Sequence, residues 1–412
     1  MRILHTGDWH LGAYLEKHSR LPEQAAMIDA LTEMADKLAV DMILIAGDIY
    51  DTQNPPAAAE TLFYGGIRKL SAGKRPLLII AGNHDSPDRL SAPANILYQC
   101  GAIVLGLPGS VALPGDYGFY RITTSEPGIV TIQIGNETAV VLTMPFPSEK
   151  RLNEVLTDQV GEQAMQTSFN DKIQAIFAQN IRHYREDTVN LAIGHFHIIG
   201  GQANPSPAER DIQYGGSFAV NSHSLPSEAQ YIAMGHLHRP QKIAGLSNGF
   251  YSGSPMAYGF GETGYEKSVY IVDVQPGREA SVTKECLPQI KPIEKWEAQS
   301  IEEALALCET NRDKPCWVYL WINSDRPMLR SESKALLAFK PDIVKIILQI
   351  GGDTQEMQTE AIEERSVTEE FTDFYHQECN TTPDAEILAL FMEIMRNEED
   401  GPTLDAVEEA FL

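Results

Sequence analysis

The chain has 412 residues, 43% of them hydrophobic, and a formal net charge of −25. That length holds roughly two or three domains with ample cores. No apolar run approaches the ~20 residues that span a bilayer, which excludes a helical membrane protein. The charge argues against a self-sufficient nucleic-acid binder, because phosphate backbones are held by Lys and Arg. It is unevenly spread, however. From Asp353 onward 18 acidic residues face only Arg365 and Arg396, a local charge of −16, and the preceding 352 residues carry −9. That larger part is not strongly repulsive to phosphate, and a partner carrying the basic surface would reconcile the two facts. The five cysteines (Cys100, Cys286, Cys308, Cys316 and Cys379) are scattered and form no C-x-x-C pair. They read as reduced thiols of a cytoplasmic protein, with neither disulfides nor a zinc knot.

In chain order, residues 1–275 read as one domain. A strand over 1–4 runs into His5-Thr6-Gly7-Asp8-Trp9-His10. A loop with Lys17, His18 and Arg20 follows and reads as solvated. Apolar periodicity then predicts a helix over 22–38. The run 42–46 is a buried strand that stops at Gly47-Asp48, and a second helix covers 57–70. A strand over 77–81 delivers Gly82-Asn83-His84-Asp85. This β-α-β-α-β order implies parallel neighbours joined by right-handed crossovers. From about 102 the texture changes to short strands (103–105, 118–122, 128–134 and 139–144), with a hairpin at Gly135-Asn136. A helix over 169–184 precedes a strand over 189–193 that ends in Gly194-His195-Phe196-His197. The strand 231–234 ends in Gly235-His236-Leu237-His238, and strands over 249–251 and 268–274 close the domain. The expected fold class is α/β: two sheets packed face to face and flanked by helices.

Residues 281–351 form a small α/β module. Ser300-Ile301-Glu302-Glu303 is a capping box opening a helix through Cys308, followed by a strand over 316–322, a helix over 331–339 and a strand over 343–350. With no ligand-like constellation, its expected role is steric, as a cap over or beside the site. The acidic tail, 360–412, is read as a helical pair. Ser366-Val367-Thr368-Glu369 is a capping box, and Thr382-Pro383 opens a helix with Ile387, Leu388, Phe391, Ile394 and Met395 on one face. Two readings stand level: the helices pack on each other or on the cap, or their apolar faces grip a partner's helices.

The chemistry rests on five strand ends that each deliver Asp, Asn or His through a glycine. Each motif alone has an ordinary reading as a turn. Their joint occurrence at the same end of predicted strands points to a metal site in the crevice where open α/β folds bind ligands. Two-ion phosphodiester hydrolysis requires cations roughly 3.5–4 Å apart, and a carboxylate bridges such a pair best. Asp48 is the natural bridge, with Asp8, His10 and a distal His on one side and Asn83 with two further His on the other. Oxygen and imidazole donors without thiolate suit Mn²⁺, Fe²⁺ or Zn²⁺ better than Ca²⁺. His5, His183, His223 and His376 have no motif context and read as structural.

The five motifs, in this order, resemble the calcineurin-like metallophosphoesterase signature. Asp8-Trp9-His10-Leu11-Gly12, Gly47-Asp48 running on to Tyr50-Asp51-Thr52, Ser252-Gly253-Ser254-Pro255 and Ser366-Val367 resemble its double-strand-break-repair nuclease branch, the bacterial SbcD type. The resemblance covers nearly the whole chain. It implies a metallophosphoesterase sandwich with a capping domain and a C-terminal partner-binding segment. It implies Asp8, His10, Asp48 and His238 on one metal, and Asp48, Asn83, His195 and His236 on the other. His84 would stabilise the transition state or protonate the leaving oxygen. Relatives commonly carry His where this chain has Asp51, and an Asp51–His84 pair orienting the imidazole is expected. His197 has no firm counterpart and reads as a neighbouring polar residue. The implied activity is Mn²⁺-dependent cleavage of DNA, exonucleolytic at duplex ends and endonucleolytic on hairpins or single strands. The implied partner is an SbcC-type coiled-coil ATPase, in a heterotetramer containing a homodimer of the nuclease chain. The alternatives are a small-molecule or cyclic-nucleotide phosphodiesterase, which would need no cap or partner, and a non-catalytic scaffold, which predicts missing ligands.

Overall fold

The computed structural model describes residues 1–152, 162–202, 219–350 and 353–357, together with Pro383, Ile387 and Leu388. The tail helices expected over 360–412 otherwise lie outside the described residues. The chain forms two compact units, Met1–Trp296 with Asp313–Tyr319, and Glu297–Arg312 with Leu320–Leu412.

The first unit opens with β1 (Arg2–Thr6), α1 (Leu21–Lys37), β2 (Met42–Ala46), α2 (Ala57–Ser71), β3 (Leu77–Ile80) and β4 (Ala102–Leu105). It continues with β5 (Arg121–Glu126), β6 (Ile129–Ile134), β7 (Glu137–Met144), α3 (Glu162–Ile181), β8 (Val189–His195) and β9 (Tyr231–Gly235). It ends with β10 (Gly249–Tyr251), β11 (Ser268–Asp273) and β12 (Ser281–Cys286). One six-stranded sheet has the order β12-β11-β1-β2-β3-β4, with β1 to β4 parallel and β11 antiparallel to β1. An eight-stranded sheet runs β10-β9-β8-β7-β6-β5, with the two-residue strands Gln241–Lys242 and Gly115–Asp116 at its edges.

Strands buried on both faces explain the uninterrupted apolar runs. Leu4, Ile43, Ile45, Leu77 and Ile79 face α1 and α2, where they meet Met27, Leu31, Phe63 and Ile67. Their neighbours Ile3, Met42, Leu44, Leu78 and Ile80 pack between the sheets against Val141, Leu191, Ile193 and Tyr231. The outer face of the second sheet is covered by α3, whose Phe169, Ile173 and Phe177 recur every fourth residue. The result is the expected helix–sheet–sheet–helix sandwich. Ser281–Cys286, which the sequence alone assigns to the opening of the second module, pairs along β11 as an edge of the first sheet.

Beyond it lie β13 (Ile293–Ala298), α4 (Ile301–Thr310), β14 (Trp317–Ser324), α5 (Arg330–Phe339), β15 (Ile343–Ile350) and β16 (Asp353–Met357). The four strands form a sheet in that order, and α4 is capped by the Ser300 hydroxyl, which accepts the Glu303 N–H at 3.1 Å. Among the described residues no helix is long and apolar enough to cross a membrane.

Candidate metal centre

The carboxyl ends of β1, β2, β3, β8 and β9 bring the five motifs to one crevice, and the backbone there is bent to do so. Asp8 (φ 52°), His10 (φ 43°), Asp48 (φ 48°) and His236 (φ 101°) all lie at positive φ. A non-glycine residue pays a conformational penalty of about 1–3 kcal/mol there and persists only where its surroundings hold it. Main-chain bonds supply part of the restraint: the Asp8 N–H donates to Gly47 O at 2.9 Å and the His10 N–H to Asp48 O at 3.0 Å. The glycines answer to space. A Cβ on Gly235 would lie 1.8 Å from Ala46 O, and one on Gly82 would lie 2.1 Å from Asp48 Oδ1.

Asp48, buried, sits between two groups of donors. On one side His10 Nε2 and His238 Nε2 face each other at 3.1 Å, and His10 Nε2 is 3.7 Å from Asp48 Oδ2. Ligand atoms of Asp8, His10 and His238 all lie within 4.8 Å of one another. On the other side His195 Nε2 is 3.3 Å from the same Asp48 Oδ2 and 3.0 Å from Asn83 Oδ1, which also meets His236 Nδ1 at 3.0 Å. All seven residues expected to hold metal are therefore brought together.

Three of the four rings are aimed from behind. His195 Nδ1–H donates to Ala46 O at 2.7 Å, which leaves Nε2 for the crevice. His238 Nδ1 meets Glu262 Oε1 at 2.9 Å. Asp51 Oδ1 is 3.3 Å from His10 Nδ1. The expected Asp51–His84 pair forms through the main chain rather than the carboxylate. His84 Nδ1 donates to the Asp51 main-chain carbonyl at 2.7 Å, and the Asp51 carboxylate turns to His10. His84 Nε2 is buried without a partner, and the His84 main-chain N–H donates to Asp48 Oδ1 at 2.9 Å. Asp85, in sequence merely the end of its motif, accepts the N–H groups of Gly82, Ile49 and Tyr50 and locks the β2 and β3 loops together. Arg151 donates to Gly82 O and Asp85 O, both at 2.7 Å, a brace that no sequence pattern announces.

The electrostatics fit a cation. Burial would raise Asp48, but the neighbouring His195 and His84 imidazoles outweigh it and hold its carboxyl well below the ordinary range. Burial pushes Asp8 up to about 7 and His10 down to about 4. Burial also opposes charge on His195, yet Asp48 and Asp8 lift that ring to about 9. In the metal-free chain a proton on His195 thus supplies counter-charge to Asp48. A divalent ion would take that place and release the proton. Asp8 Oδ2 is buried and unpartnered, and the donors are oxygen and imidazole, so the residues present fit a divalent metal.

Other candidates stay outside. His197 lies near His236, with ring centroids 6.4 Å apart. His5 is buried between the sheets with Nδ1 on the Tyr231 hydroxyl. Lys17 is exposed, but Arg20, expected on a solvated loop, is buried and donates to Glu23 Oε1 and Ala257 O.

Residues 1–240 match the calcineurin-like phosphoesterase family. Residues 289–378 match the SbcD C-terminal domain, described as a Type 5 capsule protein repressor C-terminal domain. The SbcD component of nuclease SbcCD from Bacillus subtilis (strain 168) is 38% identical over 97% of this chain and 99% of its own length. The protein of the same name from Escherichia coli (strain K12) is 30% identical over 90% and 92%. That from Rhodobacter capsulatus is 31% identical over 80% and 82%.

Proposed function

The chain belongs to the calcineurin-like phosphoesterase family and, within it, to the SbcD nucleases, and from that premise we propose a Mn²⁺-dependent DNA nuclease that uses two divalent ions. It degrades duplex ends, opens hairpins and cuts single strands, and it works as a dimer with an SbcC-type coiled-coil ATPase. One observation carries the two-ion reading: a single carboxylate oxygen, Asp48 Oδ2, lies 3.3 Å from His195 and 3.7 Å from His10, between two separate donor groups. Asp8, His10, Asp48 and His238 would hold one ion, and Asp48, Asn83, His195 and His236 the other. When bound, such a pair supplies a hydroxide at neutral pH and Lewis acidity toward the phosphoryl oxygens.

The chain's own residues do the rest. Gly47, Gly82 and Gly235 let the five loops approach closely enough for the donors to converge. The Asp51 carbonyl engages Nδ1 of His84, so a proton carried at Nε2 is the one the leaving oxygen can take. The tail's local charge of −16 opposes DNA phosphates, which supports a partner chain that grips the DNA.

The test is a cleavage assay of the purified chain on linear duplex DNA and on an aryl phosphodiester with Mn²⁺, with and without the ATPase partner. DNA cleavage that requires Mn²⁺, rises with the ATPase partner and falls in His84→Gln is the expected result. Activity confined to the small ester would instead assign a small-molecule phosphodiesterase.

A further inference from the structure

Behind His238 lies a charged pair that the proposed chemistry does not use. Glu262, on the three-residue turn Phe260–Glu262, is 1% exposed, and Lys267, just ahead of β11, is 3% exposed. Lys267 Nζ is 2.6 Å from Glu262 Oε2 and 2.6 Å from Ser254 Oγ, and Ser254 Oγ in turn donates to Glu262 Oε2 at 3.0 Å. The other carboxylate oxygen, Oε1, takes the His238 Nδ1 contact at 2.9 Å. The main chain is tied in as well: the Ser254 N–H donates to His238 O at 3.1 Å. At Gly253 (φ 74°) a Cβ would lie 2.7 Å from that carbonyl, so the segment can run this close only as glycine.

Burying a Glu–Lys pair contributes little net stability, because desolvation offsets the attraction, and well-packed apolar residues would do as well. Its geometry has another use. With Glu262 Oε1 accepting from Nδ1–H, His238 presents the Nε2 lone pair toward His10, and the carboxylate fixes the direction of that ring. We propose that Glu262, anchored by Lys267 and Ser254, is a positioning residue that fixes the tautomer and direction of His238 and so sets the affinity of the Asp8–His10–His238 pole for its divalent ion. The proposal rests on the metal reading given above.

The test uses the full chain and Mn²⁺ alone. Glu262→Gln with Lys267→Met keeps the cavity neutral and filled. The double variant is expected to unfold as cooperatively as the parent, to bind one of its Mn²⁺ ions about 10–100-fold more weakly, and to recover turnover at high Mn²⁺. Nitrogen-15 spectra of the metal-free histidines should show His238 as the Nδ1–H tautomer in the parent and as a mixture in the variant. Ser254→Ala, which buries no new charge, should weaken the same ion about fivefold. Parent affinity in either folded variant, or an unchanged tautomer, overturns the proposal. A parent chain that binds no Mn²⁺ in this crevice would instead sink the metal reading itself.

Discussion

His10 and His238 each meet a carboxylate behind the ring, Asp51 Oδ1 at 3.3 Å and Glu262 Oε1 at 2.9 Å, whereas His195 meets a main-chain carbonyl, Ala46 O at 2.7 Å. The proposed poles of the centre therefore differ in what stands behind their imidazoles, although Asp48 serves both. A carbonyl orients a ring with a neutral acceptor; a carboxylate orients it with a charged one. Two donor sets that look equivalent as bare ligands would thus hold the proposed ions by different means.

The change that should erase the difference altogether is Asp48→Asn. Without the shared charge neither pole is complete, and cleavage should fall roughly 10³-fold or more, the scale on which a charge-stabilising donor acts; bound Mn²⁺ per chain should fall with it. Retained activity would break the comparison at its root. His84→Gln sharpens it by sparing both poles: turnover should drop about 10²- to 10⁴-fold, as for loss of a general acid, while Mn²⁺ content stays at the parent value. Asp51→Asn separates the carboxylate-backed pole from the proton carrier. Because the side chain faces His10 and only the carbonyl faces His84, Mn²⁺ affinity should weaken about 10–100-fold, and turnover should return at excess Mn²⁺. Loss of turnover that excess metal does not restore would place the carboxylate's action on His84 after all. The smallest effect belongs to the scaffold shared by both poles. Asp85→Asn loses part of its acceptance of three buried N–H groups and should cost about 2 kcal/mol, read as a melting temperature several degrees lower.

Much of this centre is legible in the sequence because its grammar is local. A buried apolar run, a glycine and then Asp or His can be seen at 42–48 without any knowledge of the fold. The parallel β1 to β4 order follows from the alternation of strands and helices. What is not legible depends on convergence. Glu262 and Lys267 sit in an irregular segment with no periodicity, and their value appears only when both meet Ser254 behind a histidine. Arg20 reads as solvated because its loop is polar, yet its guanidinium finds Glu23 and the Ala257 carbonyl. Motif adjacency pairs Asp51 with His84 but does not tell its side chain, which faces His10, from its main-chain carbonyl, which faces His84.

Two neighbouring cations sharing Asp48 are the core of the proposed centre. Crystals of the chain grown with Mn²⁺ and measured at the manganese edge test this directly. Two anomalous peaks roughly 3.5–4 Å apart, both in contact with the Asp48 carboxylate, are the predicted result. A single peak, or two that do not share Asp48, would contradict it.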